Sequence, residues 1–381
     1  MKREDIGKES LKLHKRLKGK IKTGLPIKIK DKNDLSLIYT PGVAAVASYL
    51  AKNKYEARDY TIKGNTVAVI TDGSAVLGLG NIGPIGALPV MEGKAVLFKV
   101  FADIDAFPIV LDTQDVSEII ETIVHIAPAF AGINLEDISA PRCFEIEKRL
   151  KERLDIPVMH DDQHGTAIVV TAALLNAAKV VEKKFNTLRV VISGAGAAGV
   201  AIAKLLTKAG IADIIMLDSK GIIVRGREKL DGHKEDLADH TNPRGVSGDY
   251  YDALRGADAF IGVSGPDVIK GDHISRMNKD AIVFALANPI PEITPEAARK
   301  AGALVIATGR SDLPNQVNNS LVFPGVFRGA IDNRVRRITD DMKLEAAKNL
   351  AGVVKKPTAD KIIPEAFDKG VVQAIAKAIK S

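Results

Sequence analysis

LRVVISGAGAAGVAIAKLLTKAG, residues 188–210, decides the fold. Val190-Val191-Ile192 is a short β-branched run that reads as a strand, and VAIAKLLTKAG after the glycines reads as a helix. Between them lies Gly194-Ala195-Gly196-Ala197-Ala198-Gly199, and the next strand, DIIMLD, ends in Asp218, 24 positions after Gly194. A tight turn, a backbone open to a pyrophosphate, a helix N-terminus for its charge and a carboxylate for ribose hydroxyls are the parts of a dinucleotide site.

Outward from this stretch, DAFIGVS (258–264), AIVFALAN (281–288) and ALVIATG (303–309) read as strands separated by helix-length spacers. That alternation predicts a doubly wound parallel sheet. The first third predicts strands at TVAVI (66–70), KAVLFKVF (94–101) and AGINL (131–135), with a helix over 116–126. A second G-x-G-x-x-G, Gly78 to Gly83, runs into Pro84, Gly86 and Pro89, and reads as a cleft-lining loop from which no helix starts. The fold class is α/β with two domains: an N-terminal α/β domain over 1–160 and a C-terminal Rossmann-like doubly wound sheet over 161–381. The last segment, Pro364 to Lys380, reads as a helix able to pack back onto the first domain.

The net charge of +7 lies entirely in residues 1–31, which hold eleven Lys/Arg against four Asp/Glu; the remainder carries 43 of each sign. With aromatics at 4% and no Trp, this segment offers nothing for bases to stack on, so it reads as a solvated helix and arm rather than a nucleic-acid surface. No apolar run is long enough for a membrane span. The opening MKREDIGKES has no apolar core behind its charges, so no signal peptide is expected, and the single cysteine, Cys143, suits a reducing cytoplasm.

MHDDQHGTA (159–167) sets two aspartates between histidines, where the run Ile156 to Met159 gives way to the apolar helix AIVVTAALLNAAKVV. Glu136 and Asp137 follow AGINL in the same way. Two readings stand open. The acidic pairs converge on a hard cation, Mg²⁺ or Mn²⁺, or Asp161 or Asp162 caps a helix starting near Thr166. No Cys/His spacing matches a zinc site, so His160 and His164 read as packing or supporting groups. On residue type alone, Lys94 is an exposed lysine at a strand start and Tyr39 a packing aromatic in a Pro-Gly turn.

Taken together, SLIYTPGVA (36–44), TDGSAVLGLGNIG (71–83), MEGKAVLFK (91–99), LEDISAP (135–141), MHDDQHGTA, the Gly194 motif, ALANP (285–289) and NNSLVFPGVFRGA (318–330) resemble the malic enzymes in their short prokaryotic form. The resemblance covers nearly the whole chain. It implies metal-dependent oxidative decarboxylation of malate to pyruvate and CO₂ with NAD or NADP, in a homodimer or higher homo-oligomer. It assigns Glu136, Asp137 and Asp162 to the metal, Lys94 as general base, Asp161 as the group that sets its charge, and Tyr39 as proton donor. Asn288 and Asn319 match amides that hold the substrate carboxylate near the nicotinamide, and Thr166 a residue on the cofactor side. Larger relatives have a substrate-gripping arginine where this chain has Ala75; Ser74, the first glycine loop and the metal are the candidate replacements. As a base, Lys94 requires a pKa lowered by burial and the metal. Asp218 favours NAD by repelling a 2′-phosphate, although Lys220, Arg225 and Arg227 stand ready to neutralise it. The rival readings are a simple NAD-dependent 2-hydroxy-acid dehydrogenase, which needs no metal carboxylates, and a non-catalytic dinucleotide-sensing module, which needs neither Lys94 nor Tyr39.

Overall fold

The computed structural model describes residues 3–76, 78–230 and 232–380. Strands β1 (Thr66–Thr71), β2 (Asp105–Val110), β3 (Gly132–Leu135) and β4 (Val158–His160) form a parallel sheet in the order β2-β1-β3-β4. A second sheet holds β5 (Arg189–Ser193), β6 (Asp213–Asp218), β7 (Gly221–Ile222), β8 (Ala259–Gly262), β9 (Ala281–Ala285) and β10 (Ala303–Thr308), ordered β10-β9-β8-β5-β6-β7. It is parallel except for β7, as the alternation in sequence predicts.

The helix Asp161–Val180 joins the two sheets. Its buried face includes Ala167, Ile168, Val170, Ala173 and Leu174, and these share one core with Val67, Val69 and Phe98 of the first unit and Ile192, Ile202 and Phe284 of the second. A helix apolar on nearly every side has to be buried all round, and this one is.

The stretch 94–101 is not a strand. It lies in the helix Gly83–Ala102, which starts at the glycine motif despite Pro84. Proline is at home in a first helical turn, where its missing N–H has no partner to lose. Ala87, Met91, Lys94, Phe98 and Ala102 are buried at helical spacing, so Lys94 interrupts an apolar stripe. Phe98 meets Phe323 and Phe327, with ring centroids 4.7 and 5.5 Å away. These rings belong to the helix Phe323–Asp332, which returns from the second sheet to the first.

Among the described residues of the last segment, only Val371–Ala376 is α-helical. It lies against Phe323–Asp332, where a Cβ at Gly329 would come within 2.5 Å of the Ala376 carbonyl oxygen. Phe367 ahead of it packs edge-on against Phe101 at 5.3 Å, so the segment does touch the helix that carries Lys94. The helices Lys32–Ile38 and Gly42–Lys52 bury no residue and expose Leu35, Leu37, Ile38, Val43, Val46 and Tyr49. Among the described residues no helix is long and apolar enough to cross a membrane.

Candidate active site

Strand register builds the site. Leu135 pairs with both Ile70 and His160, so Asp72, Glu136 and Asp161 follow at neighbouring strand ends. Carboxyl ends of parallel strands are where α/β sheets bind ligands. Asp161 and Asp162 form the first turn of their helix, which begins five residues earlier than Thr166. His160 is the N-cap residue and makes no side-chain cap. The capping reading therefore fails, and the acids keep the favourable end of the helix dipole.

Glu136, Asp137 and Asp162 each bring one carboxylate oxygen to a common point, all within 4.8 Å of one another. Asp137 Oδ2 is buried with no hydrogen-bond partner. Burial and the neighbouring carboxylates push Glu136 well above the usual carboxylate range and Asp137 up to about 7. Oxygen ligands, a spare lone pair and an excess of negative charge fit a divalent cation. His164 instead bonds Glu147 at 2.9 Å, and burial pushes it down to about 4. Buried His160 has no hydrogen-bond partner for either ring nitrogen.

Lys94 is 7% exposed. Its ammonium donates to Glu136 Oε1 and, at 2.5 Å, to Asp161 Oδ2, and it lies 4.5 Å over the Phe323 ring. It is not an exposed lysine at a strand start. Nor is its pKa lowered in the protein alone: burial acts in that direction, but Asp161, Glu136 and Asp162 outweigh it and raise the ammonium above its ordinary value. Asp161 is fully buried, raised to about 6 by burial against the pull of Lys94. Asn134 supports the group by donating to Glu136 Oε2 at 3.2 Å.

Sequence reasoning misses Gly165. A Cβ there would lie 1.9 Å from Asp161 Oδ1 and 3.1 Å from the Cβ of Asn319. The signal was a glycine inside a helix, a placement that costs about 1 kcal/mol and asks for a reason. The same contact brings Asn319 to the Asp161 side of the cleft. Thr166 is half-buried one turn beyond Asp162, on the same face.

Ser74 is placed differently from its expected role. Its hydroxyl donates to Asp72 Oδ1 at 2.6 Å and accepts from the Ser139 N–H at 2.9 Å, so it ties the loop and has no proton left to donate to a substrate. Asp72 also pairs with Arg142 at 2.8 Å. The first glycine loop packs directly on Asn288-Pro289: a Cβ on Gly78 would come within 2.4 Å of the Asn288 carbonyl oxygen. The Asn288 amide lies under Gly309, where a Cβ would approach its Nδ2 to 2.3 Å. Tyr39 is 67% exposed at the end of Lys32–Ile38 and, within one chain, makes no described hydrogen bond or ring contact with this group.

Beside the site, Gly194, Ala195 and Gly196 line a 530 Å³ cavity with Asp218, Ser219 and Lys234. Gly194 has φ +113°, Gly196 faces open space, and a Cβ on Gly199 would sit 1.8 Å from the Gly194 carbonyl oxygen. Turn, ligand approach and helix–strand packing thus fall to the three glycines in order. Gly196 caps the helix Ala197–Lys208, whose first residues are Ala197 and Ala198. Asp218 is held by a two-pronged Arg227 contact at 2.6 and 2.9 Å and by Lys234 at 3.2 Å. Burial opposes its charge, but these partners and the Lys220 N–H hold its carboxyl down at about 2.

A dinucleotide cavity opening beside a lysine–carboxylate centre defines an oxidoreductase. Residues 163–379 match the family model for the malic enzyme NAD-binding domain, and residues 18–116 and 114–151 the malic enzyme N-terminal domain. The chain is 55% identical to an NAD-dependent malic enzyme of Geobacillus stearothermophilus, over 95% of this chain and 76% of that one. It is 52% identical to a bifunctional malic/malolactic enzyme of Bacillus subtilis, over 98% and 92%. The crystal structure of an NAD-dependent malic enzyme from Thermotoga maritima superposes with a TM-score of 0.95 at 52% identity, covering 97% and 98% of the two chains. The chain belongs to the malic enzyme family. It is an oxidoreductase of NAD(P)-dependent oxidative decarboxylation of malate; neither rival reading is favoured.

Proposed function

We propose that Lys94 takes the C2 hydroxyl proton of malate while Asp161 fixes its position and charge. The observation that carries this is a fully engaged lysine inside an apolar stripe, bonded to Asp161 and Glu136 at the strand ends. Glu136, Asp137 and Asp162 would hold Mg²⁺ or Mn²⁺. When bound, the cation supplies Lewis-acid polarisation of the 2-oxo acid and offsets the carboxylate charge that otherwise keeps Lys94 protonated. The Gly194–Gly199 turn, Asp218 and Thr166 hold the dinucleotide, which accepts the hydride. Asn288 and Asn319 hold the substrate carboxylate, and Tyr39 returns a proton to C3 after CO₂ leaves.

NAD is the favoured cofactor, because the Asp218 carboxylate would repel a 2′-phosphate; Arg227 and Lys234, already paired with it, narrow the preference. The exposed apolar residues of Lys32–Ile38 and Gly42–Lys52 support a homo-oligomer, which would bury the surface that carries Tyr39. A division at residue 160, separating substrate and dinucleotide domains, and a cytoplasmic location complete the reading. The test is a rate assay with malate, Mn²⁺ and either NAD or NADP, with CO₂ release followed in parallel. Dinucleotide reduction without stoichiometric CO₂ would refute the decarboxylating assignment, and a lower KM for NADP the preference.

A further inference from the structure

A second cleft opens at the other end of the four-stranded sheet, remote from the carboxylates. Lys63 stands before β1, Pro128 before β3 and Ile156 before β4, and all three line it. Its volume is 400 Å³, and its charged groups are Lys54, Arg58, Lys63, Arg334, Arg336 and a single acid, Asp155.

These cations are largely unpaired. Arg334 has Asp59 at 2.6 Å. Lys63 donates only to the main-chain carbonyls of Ala127, Pro128 and Phe130, and Arg58 only to that of Ala131, at 3.4 Å. Among the described residues neither has a carboxylate partner, nor do Lys54 and Arg336, and Asp155 pairs with none of them. Burial and then repulsion from Arg334 and Arg336 lower Arg58 from its usual value; burial and Arg58 lower Lys63. Partly buried Arg58 and Lys63 converge here with three exposed cations, and within the chain the two buried charges are offset by carbonyl dipoles alone and by no carboxylate. With Arg334 neutralised by Asp59, the remaining groups leave an excess of three positive charges.

We propose that this cleft binds a small molecule bearing a pyrophosphate or longer phosphate chain. Three unmatched charges exceed what a dicarboxylate such as the substrate carries, and guanidinium forks suit oxygens spread over tetrahedral phosphorus. The exposed ring of Tyr55 forms part of the rim, with the Lys54 ammonium 5.4 Å over one face and the other face left for whatever the phosphates carry. Arg334 and Arg336 follow the helix Phe323–Asp332, whereas Arg58 and Lys63 precede the first sheet. An occupant therefore clamps two segments far apart in sequence.

The test is calorimetric titration of inorganic tripolyphosphate into the full-length protein with NAD saturating, so that the dinucleotide cavity is filled, at about 0.15 M salt to screen non-specific attraction. One site per chain is expected. The double variant Lys54→Glu/Arg336→Glu, which changes two exposed unpaired side chains and so leaves the fold intact, should weaken binding at least tenfold. A control with the same charge change, Lys8→Glu/Lys12→Glu on the N-terminal helix, should bind within twofold of the parent. Malate oxidation without tripolyphosphate should be the same in all three. Absence of saturable binding, equal weakening in the control, or succinate binding as tightly as tripolyphosphate would overturn the proposal.

Discussion

Replacing Gly165 with alanine tests the positioning of the lysine without substituting any group assigned to chemistry. The new Cβ would lie 1.9 Å from Asp161 Oδ1, whereas real Cβ contacts stay beyond 3.0 Å, so the carboxylate must retreat by more than an ångström. Asp161 is fully buried, and its other oxygen holds Lys94 at 2.5 Å. A retreat of that size takes the contact to roughly 3.6 Å, past hydrogen-bond reach. Misplacing a reacting group by about 1 Å costs on the order of 10²-fold in rate, or about 2.7 kcal/mol of barrier. Helix propensity acts the other way on stability, since alanine is better than glycine in a helix by up to about 1 kcal/mol. The expected variant is folded, with Tm within a few degrees of the parent, and has kcat for malate about a hundredfold lower. Steady-state reduction of NAD with Mn²⁺, alongside a thermal melt, measures both. A folded variant with kcat within threefold of the parent would refute the claim that Asp161 fixes Lys94.

Lys94→Ala should lower malate oxidation by ~10²–10⁴ but harm decarboxylation of added oxaloacetate less, because that reaction needs no base for a C2 hydroxyl; equal losses would remove Lys94 from the oxidation step. Asp162→Ala, or thorough chelation, should abolish both activities, and full activity in a metal-free sample would sink the cation assignment. For the metal-free protein, carboxyls raised in the fold, Asp137 to about 7 and Asp161 to about 6, bind more protons folded than unfolded, so stability should fall as pH rises from about 4 to 7. Melts of the chelated protein should show this slope, and Asp137→Asn should flatten it. Finally, Tyr39→Phe and Lys94→Ala chains, each inactive alone, should regain activity on mixing and reassembly if the exposed tyrosine serves a neighbouring subunit; unchanged inactivity argues for a site within one chain.

The dinucleotide half was legible because each of its parallel strands is a short apolar run bounded by turn residues, and because the three glycines of 194–199 each have a local backbone task. The first half was harder. Residues 94–101 read as a strand since a helix buried on most sides loses the polar stripe that reveals its period. Pro84 and Pro89 seemed to forbid that helix, but Pro84 falls in its first turn and the helix runs on through Pro89. β2 went unread because Pro108 interrupts it, and a proline is tolerated there only because β2 is an edge strand. Of the site, the acidic residues were visible as pairs after apolar runs, while their convergence depends on the β3–β4 register. Lys94, Tyr39 and the two asparagines carried no local signal and came from family resemblance. The engagement of Ser74 by Asp72 and Ser139 was not legible, because it joins loops from two strand ends.

The helix Asp161–Val180 presents Asp161 and Asp162 at its first turn, and its body shares one core with residues of both sheets. Val67, Val69 and Phe98 belong to one core with residues 167–174, and Phe98 meets the rings of Phe323 and Phe327. A chain cut at residue 160 would therefore leave the earlier piece with a bare apolar flank, however natural the boundary looks in sequence. The two halves are separable as recognition modules but not as folding units, so the chain should melt in one transition. Filling the carboxylate centre would then be felt throughout the molecule as a rise in that single melting temperature.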